Sequence, residues 1–545
     1  MAMAMSAATV ISAAGCASSE ALINDGKTIN VKINSAGYGT DYIYALKEKF
    51  EAAYAEEGYK LNIFTPKAGL TNEIVLQDIA TGAGADLYIS TGITEDLMNK
   101  DAYKGTIADI TELVANQKPI NFKGEEEGDK TIAQILSEND YGYRGVQKSD
   151  GSYYAVPWTA GSRGLAVNTA VLADYNLEIP KTSKEFFHCY DVIMEKAGST
   201  GIFPITQISS SNNYPVSFTS GWMAQYEGYD WYKQYVTFED KDGTALSKDT
   251  AVEMFNAEGI RVMFENMFHA LDPNCSTYGS KTQSLEDAQA KFMKGKCAFM
   301  MNGDWLLQET YSSYTDEQRK DITFVQVPMI SELGVKLFGE GTKYNKSEAD
   351  CEKILRAIVD GADENKEVAA IKAEVDSKCS VNIDEADVQR VAEARGYTYV
   401  ESVDSGMYIN ASSEIKDIVA LFIRMCCSNE GGQLIASKVY SCNPFAQSYE
   451  TSQYGFVNAS RALQSNRYFK GVRPDISGHR ATLDPNFTSI FPYTGTYVNI
   501  KIIALNKTMY DAETLVKEGT AKVYVDAAAE MQKNIYNDAK NNYKW

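Results

Sequence analysis

The chain is 545 residues long, with a formal charge of -21 and 44% hydrophobic residues. That length exceeds one ordinary hydrophobic core, so two lobes are expected. The charge argues against nucleic acid and polybasic membrane binding, and beyond the N-terminus nothing approaches the roughly 18 consecutive apolar residues of a membrane span.

Residues 7–15 are small and apolar and end in Ala13-Ala14-Gly15-Cys16-Ala17-Ser18-Ser19. This resembles a lipobox, in which a cysteine thiol is diacylglycerylated and becomes the first residue of a lipoprotein. Ala13 stands where leucine is usual, and no Lys or Arg precedes Lys27. Residues 1–27 are therefore expected to be a signal remnant and flexible leader, with Cys16 as the lipidation site. The alternative is a disordered start with an incidental cysteine.

The alternation of Ile29, Val31 and Ile33 predicts a first strand, which ends in the loop Ala36-Gly37-Tyr38-Gly39. Ile43, Leu46, Phe50 and Ala53 then recur at helical spacing. A second strand is predicted at 61–64, a helix at 72–80 and a third strand at 86–90. Strands alternating with helices imply right-handed βαβ units and a largely parallel sheet. Ligands of such sheets lie beyond the carboxyl ends of the strands. That puts residues 35–39 and 90–92 on one rim and makes Tyr38 a candidate contact. Gly82-Ala83-Gly84 precedes a strand, so it lacks the helix N-terminus that would hold a phosphate.

Residues 202–231 are rich in Ser, Asn, Gly, Trp and Tyr, a composition that suits adaptable binding loops. Within them Trp222 is either a stacking ring or a core residue. An amphipathic helix is predicted at 254–268 and another helix at 285–293. The most informative stretch follows, F-M-K-G-K-C-A-F-M-M-N-G-D-W at 292–305. A helix end turns at Lys294-Gly295-Lys296 into a short apolar strand, and the strand delivers Asp304 and Trp305 to a loop. Pyranoses show an apolar face that stacks on indole and hydroxyls that donate to carboxylates, so an acid beside an indole suits a sugar-binding wall. The plain alternative is a capped strand with a core tryptophan. The nine cysteines form no CxxC pair, and His188, His269 and His479 are far apart, so no metal and no other cofactor is expected.

The 292–305 stretch resembles the "F..GKAAM..NG.W" signature of the family 1 extracellular solute-binding proteins, the ligand receptors of ABC importers. Gly295, Lys296, Ala298, Met300, Asn302, Gly303 and Trp305 match. Tyr154-Ala155-Val156-Pro157-Trp158 resembles the family's "Y.vPw" segment, where the chain crosses between lobes and sets an aromatic at the cleft. Asp86 matches the acid of a Pro-Asp pair, with Ala85 in place of the proline. Val167-Asn168 resembles its "YN", with Val for Tyr, and Pro180, Thr182, Glu185 and Phe186 resemble "P.TW.EF", with Ser183 for Trp. Asn429-Glu430-Gly431-Gly432-Gln433 matches "E.gQ".

The resemblance implies an α/β, two-lobed periplasmic-binding-protein-like fold, each lobe a mainly parallel sheet flanked by helices, joined by a hinge. The implied division is lobe 1 at 28–155, lobe 2 at 156–325, lobe 1 again at 326–442 with an insertion at 339–405, and lobe 2 again at 443–545. It further implies a monomeric extracellular receptor held to the membrane only by a lipid anchor. That receptor binds a carbohydrate, an oligosaccharide by expectation, and delivers it to an ABC permease without catalysis. The implied ligand set is Trp158, Trp222 and Trp305 as stacking rings, Asp304 and Asp86 as hydroxyl acceptors, and Tyr38. One alternative is the same fold with a peptide, polyamine or anion, for which Arg163 would be a partner unless it braces the hinge. A lectin would show all-β repeats, and a glycosidase would need Asp304 and Asp86 as a carboxylate pair.

Overall fold

The computed structural model describes residues 22–34, 37–65, 72–81, 84–90, 101, 103–138, 151–207, 214–280, 283–310, 313–400, 406–472 and 480, with scattered residues between 501 and 541. In chain order its main strands are β1 (Thr28–Ile33), β2 (Lys60–Phe64), β3 (Leu87–Ser90), β4 (Val156–Pro157), β5 (Ser162–Asn168), β6 (Phe203–Thr206), β7 (Cys297–Gly303), β8 (Ile322–Val325), β9 (Tyr397–Val400), β10 (Gly406–Ile409) and β11 (Lys470–Val472). They form two sheets. The first has the order β2-β1-β3-β10-β4, and the second β11-β9-β5-β7-β6 with β8 also on β5.

In the first sheet β1 runs parallel to β2 and β3, as βαβ units require, and β10 lies antiparallel to β3 and β4. The helix Asp41–Ala53 lays Tyr42, Ile43, Leu46 and Phe50 on this sheet, the face set by their helical spacing. The second sheet departs from the mainly parallel expectation. There β6 and β7 are parallel, but β5 is antiparallel to β7, β8 and β9. The chain enters this lobe at the hinge, so its first strand runs away from the cleft while β6 and β7 run toward it. The second sheet is buried on both faces, with Leu165, Val167 and Phe299 on one and Ala166 and Met300 on the other.

The expected return to the first lobe near Val325 does not occur. Val327, Met329, Leu333 and the helices Glu348–Asp363, Val368–Cys379 and Glu385–Gly396 pack into the second lobe's core with Trp222 and Phe299. Ion pairs from Lys181 to Asp360 at 2.7 Å and from Arg356 to Glu185 at 2.7 Å fasten them there. The insertion is thus part of the second lobe, and the chain returns to the first only between Val400 and Gly406. It crosses again after Phe445, since Phe445 belongs to the first lobe's core and Tyr454 to the second's. An amphipathic helix states that it has a buried face but not which lobe will bury it.

The crossings are tied together. Ala160 donates its N–H to the Cys442 carbonyl at 2.9 Å, the Asn443 amide donates to the Trp158 carbonyl at 2.6 Å, and the Gln464 amide donates to the Ala160 carbonyl at 2.7 Å.

Candidate functional site

The carboxyl end of β1 leads into Gly37-Tyr38-Gly39, and that of β7 into Asp304-Trp305 and the helix Leu306–Thr310. These two loops, one from each lobe, meet. Gly37 and Gly39 both hold positive φ (79° and 66°), which lets the loop turn tightly against its partner. A Cβ on Gly37 would stand 3.7 Å from the Trp305 ring, and one on Gly161 or Gly303 would overlap Tyr38 or the indole itself. Gly161 and Gly303 therefore permit backbone to close around Trp305, and Gly37 adds the left-handed turn of the loop facing it. The indole is 6% exposed and belongs to the first lobe's core cluster although the second lobe carries it.

Around it stand more rings. Tyr38 meets Trp158 edge-on at 5.3 Å and Trp305 at 5.8 Å, and Trp158 stacks on Tyr42 at 4.5 Å. Trp305 Nε1 donates to the Tyr214 hydroxyl at 3.2 Å. The Arg163 guanidinium lies 5.1 Å from the Tyr214 ring, 5.7 Å from Trp305 and 5.0 Å from Tyr399, within cation–π range of each. Trp158 Nε1 is buried and has no hydrogen-bond partner among the described residues, an uncommon state for an indole N–H.

Glu309 adds a carboxyl, its Oε2 accepting from Gln289 Nε2 at 2.6 Å. Burial chiefly pushes this carboxyl up to about 7; the Gln289 bond and Arg163 draw it down, and Glu286 adds to the rise.

Of the residues read from the sequence, the structure brings together Trp305, Tyr38 and Trp158 at this seam. The other assignments need correction. Trp222 is fully buried inside the helix Val216–Glu227, donates Nε1 to the Pro328 carbonyl at 2.9 Å and meets Phe218 edge-on, so it is a core residue. Asp304 is also fully buried, and its Oδ2 accepts from the Ser441 and Ser460 hydroxyls, each at 2.9 Å; it knits the hinge instead of facing a ligand. Asp86 precedes β3, at the end of the strand away from the rim. It accepts from the Asn30 backbone N–H at 2.9 Å and the Ser413 hydroxyl at 2.7 Å, which fastens β1 to the segment after β10. Cys16, Ser35 and the rim residues 91–92 lie outside the described residues.

Sequence reasoning missed Tyr214, Tyr399 and Glu309. Glu309 had a legible signal, four residues after Trp305 on a short helix and so on its face. Tyr214 lies in the segment 202–231 whose composition suits binding loops but was not singled out there, and Tyr399 had no signal.

The comparisons with known proteins agree with this architecture. The model of the family of bacterial extracellular solute-binding proteins matches residues 45–454. The chain belongs to that family. No curated protein matches it. Among solved structures, the GacH receptor of Streptomyces glaucescens shares 13% identity over 93% of this chain and 99% of its own, with a TM-score of 0.54. RafE from Streptococcus pneumoniae shares 12% over 94% and 100%, at 0.54. The bacterial solute receptor AcbH shares 12% over 93% and 100%, at 0.52. These likenesses establish the two-lobed receptor fold. Among the described residues no helix of this solute-binding protein is long and apolar enough to cross a membrane.

Proposed function

We propose that this protein is the carbohydrate receptor of an ABC importer, closing on a sugar between its lobes and presenting it to the permease. The observation that carries this reading is the Trp305 indole, delivered by the second lobe and met by Tyr38 of the first, which also meets Trp158, with Arg163 and Glu309 beside it. Flat rings with charged and hydroxyl groups at their edges match the two faces of a pyranose. The solved relatives point the same way: GacH was captured with acarbose, RafE with raffinose, and AcbH prefers β-D-galactopyranose.

In this reading the ligand touches both lobes only when they are closed, so binding shifts the population toward closure and the permease reads that shape. Parting the Gly37 loop from Trp305 uncovers an indole face for a sugar ring. Binding proceeds without turnover, by a monomer anchored outside the cell through diacylglyceryl-Cys16; incorporation of labelled lipid that Cys16→Ser abolishes would check the anchor.

The test of ligand class is a thermal-shift plate with mono- and oligosaccharides, sugar acids, peptides and polyamines. A ligand that binds only the native state raises the melting temperature with concentration. A saturable rise with one glycan series and no product is expected. A rise with a peptide or polyamine alone, or hydrolysis of the glycan, would overturn the reading.

A further inference from the structure

Glu309 stands where the lobes touch. Its backbone N–H bonds the Trp305 carbonyl at 3.1 Å, so its side chain shares the indole's side of the helix. Its Oε1 lies 3.8 Å from where a Gly37 Cβ would stand, and the adjacent Gln308 amide would press on one at Gly39. A loop of the opposite lobe thus lies against this half-buried carboxyl, whose Oε2 accepts from Gln289 at 2.6 Å.

The charges facing it come from each element packed around it. The helix Leu285–Met293 brings Glu286, whose charge adds to the rise, beside Gln289, and β5 brings Arg163, whose charge draws the carboxyl down by less than burial raises it. The first-lobe loop Gly37-Tyr38-Gly39 brings no charge at all. A carboxylate here loses part of its water and gains one amide N–H in exchange, which disfavours its ionised form.

We propose that Glu309 makes closure of the lobes take up a proton, so that the receptor closes more readily as its surroundings acidify. This deepens the receptor reading above and rests on it for its biological sense. When the lobes part, the Gly37 loop leaves and water reaches the carboxyl, which returns toward an ordinary glutamate value of about 4.3. In the closed state it sits at about 7. Between the two values the closed form holds more protons than the open form, so acid favours closure there. The closure constant gains up to about tenfold for each unit of acidification across that window. The gain is lost as pH rises through the closed-state value, and it levels off below the open-state one.

The experiment is small-angle scattering of the ligand-free full chain at about pH 5.5 and about pH 8.5, for the wild type and Glu309→Gln. The wild type should be more extended at the higher pH, and Glu309→Gln should stay compact at both. A wild type of the same radius at both, or a Gln variant that expands as the wild type does, overturns the proposal. Should Glu309→Gln fail to fold, Gln289→Leu removes the donor that favours the charged form. It should move the midpoint of the wild-type transition to higher pH, and an unmoved midpoint is equally fatal. Because no ligand is used, this result is separate from the sugar plate: a receptor that ignores every sugar can still show it, and one that binds a sugar can still lack it.

Discussion

Trp222 lies in a helix whose residues from Val216 to Tyr226 are all buried, with its indole N–H bonded to a backbone carbonyl. Truncation to Ala should cost about 3–5 kcal/mol from the cavity alone, with an orphaned Pro328 carbonyl adding to it. A urea melt should show that loss, while the folded fraction keeps its ligand affinity. Trp305 should behave the opposite way. It is held between lobes, so Trp305→Ala should lower ligand affinity by roughly 2 kcal/mol, about thirtyfold in Kd, with a smaller loss of stability. Titration calorimetry with the sugar found on the plate decides it; unchanged affinity would remove Trp305 from the site. From the sequence each tryptophan is either a stacking ring or a core residue, and composition does not separate the two. What separates them is three-dimensional: Trp222 lies in a helix buried on every side, whereas Gly37, Gly161 and Gly303 surround the Trp305 ring from different segments.

At the scale of elements, Asp304 joins pieces distant in the chain. Its N–H bonds the Ser162 carbonyl at the start of β5, and its carboxylate holds Ser441 before the last crossing and Ser460 on the helix Gly455–Gln464. Hydrogen bonds to a charged acceptor are worth roughly 1.5–3 kcal/mol each. Asp304→Ala should therefore lower the melting temperature sharply, and Asp304→Asn, which keeps one acceptor oxygen, should lower it less. In the Asn variant ligand affinity should stay within about threefold; a larger loss at full folding would return Asp304 to the ligand set. Periodicity read the elements well where a face alternates with solvent. The helices Asn72–Ala80 and Leu285–Met293 fall on the residues expected, and Thr182 caps the helix Ser183–Thr200 through the Glu185 N–H. It failed where burial is complete, because a helix buried on every side carries no stripe. The helix Val216–Glu227 was such a case, and its Ser, Thr and Gly residues imitated a loop.

For the molecule as a whole, residues that the sequence motifs singled out, Tyr38, Trp158 and Trp305, share one cluster where the lobes touch, whereas one long segment packs against the lobe other than the one expected. Motifs report local geometry, and the partner of an amphipathic helix is set by which core it completes. In the helix Glu348–Asp363, Ile354, Leu355 and Ile358 are buried in the cluster that holds Trp222 and Phe299, while β1, β3 and β10 supply a separate cluster in the first lobe. Two cores joined by a hinge can loosen independently, and local opening follows the core that is damaged. Leu355→Ala should remove about 2–5 kcal/mol from the second lobe only. Hydrogen exchange followed by mass spectrometry should then quicken in β5, β7 and the helix Val216–Glu227, leaving β1 and β3 at their wild-type rates. Faster exchange confined to β1 and β3 would show that the insertion supports the first lobe after all. Faster exchange in both lobes would mean that the hinge bonds at Ala160, Asn443 and Gln464 make them one cooperative unit, in which case closure would have to deform the lobes as well as rotate them.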